Sequence, residues 1–129
     1  MSIIIASGPV IIENSKVLLN RSGEDDFWKF CGGKTLPGEL NLKQTAIRRV
    51  KEEMGLNIEI IQDQPYLFYT EKEDDNQSVI LAHFLAKRLS EVEPGIGVRD
   101  WRWFTFDELS KENLAPNIFP VLTYFGFNQ

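Results

Sequence analysis

A chain of 129 residues with a net charge of −5 and a pI near 4.9 has the length of one domain (1–129) and lacks the basic balance that nucleic-acid backbones demand. Small phosphorylated ligands are still open to it, because a bound cation can invert local electrostatics. The single cysteine excludes an internal disulfide. The start "MSIIIASGPVII" has no basic leader and no run spans a bilayer, so a reducing cytoplasm with no membrane partner is expected.

In chain order, β-branched runs at 3–12 and 16–20 flank "ENSK" and predict a hairpin. The polar "SGEDD" loop and a short aromatic segment, 27–30, follow. A glycine-rich loop at 32–38 opens a helix over 42–54, where Leu42, Ala46, Val50 and Met54, with Ile47 beside them, form one apolar stripe. Gly55 is its stop signal. Strands are expected at 57–62, 66–70 and 78–89, the last apolar on both faces and so covered on both sides. A short strand at 102–105, a short helix in "FDELSKE" and a final helix over 116–125 complete an α/β (α+β) pattern of a mixed sheet with helices packed on it.

The chemistry concentrates in "CGGKTLPGELNLKQTAIRRVKEEMGL", residues 31–56. Gly32 and Gly33 let the backbone approach a ligand. On the helix, Glu52 and Glu53 lie opposite the apolar stripe, with Thr45 and Arg49 on their face. Clustered carboxylates beside a backbone carbonyl are hard oxygen ligands of the kind Mg²⁺ takes together with substrate phosphates. A cation so held would polarise a phosphoryl group and acidify a bound water.

This segment resembles the Nudix box, G-x5-E-x7-R-E-U-x-E-E-x-G-U with U aliphatic. Gly33, Glu39, Arg48, Val50, Glu52, Glu53, Gly55 and Leu56 match its defined positions. "KVLLNR", "FWKFCGGK" and "DWRWFTFDEL" resemble the family's flanking segments. The resemblance implies a Nudix fold, an α/β/α sandwich around a mixed sheet, and hydrolysis of a nucleoside diphosphate linked to another group. It implies Mg²⁺ (or Mn²⁺) held by the Gly32 carbonyl, Glu39, Glu52 and Glu53, with Glu39 supporting either the loop or the metal shell. Arg48 would orient the glutamates, so Glu52, Glu53 and Arg48 form the expected catalytic set. Arg49, Lys34, Arg21 and Trp28 are the expected contacts to a nucleoside di- or triphosphate derivative, and a homodimer is an assembly known among relatives.

The box departs from the pattern twice. Eight residues, not seven, separate Glu39 from Arg48, an insertion that costs little if it stays in the loop. The glutamate expected after the motif arginine is Arg49 instead. Arg48–Glu52 and Arg49–Glu53 are both i,i+4 pairs, and as ordinary surface bridges they contribute about 0.3–0.5 kcal/mol each. Alternatively, Arg49 takes one metal's place and contacts phosphate directly, or binding persists while catalysis is lost. Asp100 and the acidic turn 71–75 are the remaining carboxylates that could act as base. Cys31 reads as a small buried filler, and His83 as a satisfied core histidine. Phe27, Trp28, Tyr66, Phe68, Tyr69 and Trp101 could stack on a base, although most are needed for the core.

Overall fold

A computed structural model gives the arrangement of residues 2–72 and 76–128. Strands β1 (Ser2–Glu13) and β2 (Lys16–Ser22) form the expected hairpin, with Asn14 and Ser15 both at positive φ, as a two-residue turn matched to strand twist requires. After the short β3 (Gly33–Lys34), the helix α1 (Leu42–Met54) crosses the sheet, and β4 (Ile58–Ile60), β5 (Tyr66–Lys72), β6 (Gln77–Arg88) and β7 (Val98–Phe104) follow. Two short helices, α2 (Phe106–Leu109) and α3 (Ile118–Tyr124), end the chain.

The sheet runs β4-β6-β1-β2-β7, with β3 paired to β1 and β5 paired to β6. Among the described strands β1 and β6 pair in parallel and the other pairs are antiparallel, and the connection between β1 and β6 carries α1. Along β1 the partner changes. Ala6 and Ser7 face Lys34 and Gly33 of β3, whereas Ile12 and Glu13 face β2. The glycine loop is thus stitched into the centre of the sheet.

Two apolar layers flank it. Val50 and Met54 of α1 pack with Ile11, Leu18 and Cys31 on one side. On the other side Val10, Val17, Leu19, Trp28 and Phe104 meet Leu109 of α2 and Ile118, Val121 and Leu122 of α3. Alternation along β1 and β2 sorts these residues to the two faces, and the result is the expected α/β/α sandwich with a mixed sheet. No helix among the described residues is long and apolar enough to cross a membrane.

Helix α1 starts where Asn41 accepts the N–H of Gln44 and stops at Gly55, whose φ of 66° is left-handed. Its stripe differs from expectation at two positions. Ile47 is 43% exposed, because the sheet covers only the Ala46–Val50 side of the helix. Thr45, expected on the polar face, is fully buried, because the loop folds back over it and Glu39 accepts its hydroxyl at 2.9 Å. Strand β7 begins four residues earlier than expected, at Val98.

Candidate functional site

Glu39 anchors the loop. Its carboxylate accepts the Leu36 N–H at 2.7 Å, the Thr45 hydroxyl, and Arg48 Nε at 2.8 Å. Arg48 beside it holds that carboxyl down at about 2, well below the usual range, and is itself pushed up by Glu39. Arg48 also donates to the Lys34 carbonyl at 2.8 Å and to Glu52 Oε1 at 2.9 Å. The motif arginine therefore ties loop, strand and helix together. The extra residue is absorbed at 40–41, ahead of the first helical turn, where Leu40 is 84% exposed, and the Glu39–Arg48 pair survives it.

Glu53 is half-buried and points back under the loop. Its Oε1 accepts the Gly32 N–H at 2.9 Å and its Oε2 accepts Arg49 Nη2 at 2.9 Å. Burial nevertheless raises its pKa above the ordinary carboxylate value. Arg49 Nη1 donates to Glu52 Oε1 at 3.0 Å, and Nη2 reaches the Gly32 carbonyl at 3.4 Å. The guanidinium lies flat on Gly33, where a Cβ would stand 2.1 Å from Arg49 Nε. That Nε is buried and has no partner among the described residues.

Two cavities meet at this point. One, about 430 Å³, is lined by Lys29, Gly32, Arg49, Glu52 and Glu53, with Gly97 just before β7 and Val98 at its first position. The other, about 320 Å³ and largely apolar, runs from Gly32 past Phe27 and Phe68 to His83 and Asn117. Lys29 and Gly32 line both.

The expected residues divide. Glu52, Glu53, Arg48 and Arg49 are brought together. Glu39 joins them only through Arg48, because its oxygens are used within the loop, so it supports the loop and does not face Glu53. Lys34 offers its carbonyl, and its side chain is exposed. Arg21 is not at the cluster. Alternation along β2 sends it to the face of Leu19, where it pairs with Asp100 at 2.7 Å and lies 4.3 Å over the Trp28 ring. Trp28 is buried there, edge-on to Phe104 with Nε1 donating to Glu112, so it is not available to stack on a base. Asp100 is held low by Arg21 and lines neither cavity, which removes it as a base. In the acidic turn, Glu71 accepts the Tyr69 hydroxyl, and 73–75 lie outside the described residues.

Phe27 and Phe68, two of the expected stacking aromatics, line the apolar cavity. Lys29, His83 and Asn117 were not legible as site residues. His83 Nε2 meets Asn117 Nδ2 at 3.1 Å, but Nδ1 has no partner among the described residues, so the histidine is only half satisfied there; burial lowers its pKa to about 4. Cys31 is the buried filler expected, its thiol pushed up by burial and its Sγ accepting from Asn20.

An α1 helix carrying paired glutamates beneath a glycine loop, in an α/β/α sandwich, defines a Nudix-type site. The family profile described as NUDIX domain matches residues 5–125, and the chain belongs to the Nudix family. Solved structures agree at the level of fold. A NUDIX hydrolase from Nitrosomonas europaea is 18% identical, with a TM-score of 0.82 over 98% of this chain and 90% of that one. A MutT NUDIX hydrolase from Burkholderia pseudomallei is 20% identical, with a TM-score of 0.79 over 94% and 96%. A C. elegans Ap4A hydrolase is 22% identical, with a TM-score of 0.75 over 95% and 94%. Compared by sequence with curated proteins, the chain matches none.

Nudix hydrolases generally use divalent metals, and the donor set can be tested for fit. The Gly32 carbonyl, Glu52 and Glu53 are hard oxygens of the required kind. All three are bonded to Arg49, however, and among the described residues no three carboxylate, imidazole or thiolate groups converge on one point. With Arg49 in place, the set does not fit a divalent ion.

Proposed function

We propose that the chain hydrolyses a phosphoanhydride bond in a nucleoside diphosphate-linked substrate, with the nucleoside in the apolar cavity and the diphosphate over Gly32. The observation that carries this reading is the meeting of an apolar and a charged cavity at Lys29 and Gly32. Phe27 and Phe68 flank the base, and Lys29 and Arg49 contact the phosphates. Arg48 positions Glu52 and touches no substrate.

In the free protein Arg49 occupies Glu53 Oε2. A phosphate that draws the guanidinium away frees this oxygen to take a proton from water. The water oxygen bonds to phosphorus, the bridging P–O bond breaks, and the departing phosphate leaves as an anion neutralised by Lys29. Mg²⁺ or Mn²⁺, the cofactor expected from the family, would have to take Gly32, Glu52 and Glu53 from Arg49. A panel of nucleoside triphosphates, nucleotide sugars, ADP-ribose and NADH, with and without Mg²⁺ and Mn²⁺, tests the reading. Turnover that survives Glu53→Gln would count against it.

A second reading, nucleotide binding without turnover, is favoured by the engagement of both Glu53 oxygens, one by Gly32 and one by Arg49. It predicts ligand-induced thermal stabilisation with no product from any member of the panel.

A further inference from the structure

The three oxygens that would hold a divalent cation converge on a single guanidinium. Gly32 O, Glu52 Oε1 and Glu53 Oε2 stand 3.4, 3.0 and 2.9 Å from the Arg49 nitrogens. A metal ion sits about 2.0–2.6 Å from its oxygen ligands. Placed on these atoms it would press against the guanidinium, and two cations cannot share the three oxygens.

Nor is Arg49 an ordinary solvated helix residue making a surface bridge. Glu53, its main partner, keeps only 16% of its side chain exposed, and Arg49 Nε is buried. Gly33 provides the bed, since any Cβ there would collide with Nε. Arg48 Nη1 donates to the same Glu52 oxygen, so Oε1 is held between the two guanidinium groups. A planar fork satisfies acceptors in several directions at once, which an ammonium does less well.

We propose that Arg49 is a resident cation that takes the place of the divalent metal. The protein then binds the diphosphate of its ligand through Arg49 without a divalent ion, and it is Arg49 that keeps metal out of an otherwise competent oxygen set. The proposal rests on the reading above only for the ligand. Its metal half needs no substrate and can fail or succeed alone.

Mn²⁺ alone, titrated by electron paramagnetic resonance and calorimetry, tests the metal half in wild type, Arg49→Gln and Arg49→Gln/Glu53→Gln. Wild type is expected to show no saturable binding below about millimolar Mn²⁺. Arg49→Gln should bind at least about tenfold more tightly, and the double variant should lose that gain, with thermal melts confirming folding. Wild type binding Mn²⁺ as tightly as Arg49→Gln would overturn the proposal, as would an Arg49→Gln protein that gains nothing. Should that variant not fold, Arg49→Lys replaces it, with a severalfold gain expected and no gain overturning. Inorganic pyrophosphate tests the ligand half. It should raise the melting temperature of wild type in EDTA, and a shift that appears only with Mn²⁺ would overturn that half.

Discussion

Arg49 Nη2 and Glu53 Oε2 lie 2.9 Å apart across one helical turn, while the other oxygen of Glu53 accepts the Gly32 N–H. The carboxylate is thereby the joint between helix α1 and the glycine loop. In Glu53→Gln the amide oxygen can still accept from Gly32, but the negative charge is gone. The fold should hold, with melting lowered by roughly a few degrees. Turnover on the best substrate should fall by about 10²–10⁴-fold, the usual contribution of a positioned base. Steady-state rates beside a thermal melt separate the two effects, and equal activity in both proteins would remove Glu53 as the base.

Glu39 makes a different prediction, one about acid. Its folded pKa of about 2 lies below the ordinary value of 4.5. Between those values the unfolded chain binds the extra proton, so the stability due to Glu39 is complete above pH 4.5 and is lost as pH falls through about 2. Denaturant midpoints measured at intervals from about pH 5 to 2 should decline in wild type. In Glu39→Gln the decline over this window should be shallower, from a lower starting point. A profile unchanged by the substitution would mean that the Arg48 pair contributes nothing to folding.

How far these features can be read from the chain depends on whether their causes are local. Helix α1 was legible, because the apolar stripe and Gly55 act within a few positions of the bonds they set, whereas its Asn41 cap is seen in the structure. Thr45 was misread because its burial depends on a loop that folds back and brings Glu39 to its hydroxyl. Arg21 and Trp28 could have been placed. Period-two alternation from Val17 and Leu19 puts Arg21 on the core face, away from Ser22 and the cluster. His83 could not, since its partner Asn117 is 34 residues away and no pattern links them. Arg49 was visible as a departure, but the convergence of three oxygens on it needed the loop in three dimensions.

His83 gives a second, higher acid window. Burial lowers its pKa from 6.5 to about 4, so the unfolded chain takes up a proton that the folded protein refuses. Stability should therefore be full above pH 6.5 and fall progressively until about 4, by a total on the order of 3 kcal/mol. Asn117 holds only the Nε2 side, and among the described residues no acid offsets the burial of the charged ring. A glutamine at this position has no charge to gain. Urea midpoints at about pH 7 and pH 5 should differ clearly in wild type and much less in His83→Gln. A wild-type midpoint flat between those values would show that the imidazole is protonated in the folded state.

Two glycines test the loop by contrast. A Cβ on Gly8 would fall 1.8 Å from the Cys31 carbonyl oxygen, and a Cβ on Gly33 would fall 2.1 Å from Arg49 Nε. The first obstacle is backbone, fixed where the loop passes the middle of β1, so Gly8→Ala must shift a strand or the loop. It is expected to cost about 3 kcal/mol, at the upper end of the usual overpacking penalty. The second obstacle is the far part of a flexible side chain, which can swing away. Gly33→Ala should therefore melt close to wild type, yet lose the Arg49 contacts to Gly32 and Glu53 and behave toward Mn²⁺ as Arg49→Gln does. Chemical denaturation and Mn²⁺ titration of both variants check this together. If Gly33→Ala kept the wild-type response to Mn²⁺, the guanidinium would hold the oxygens without its glycine bed.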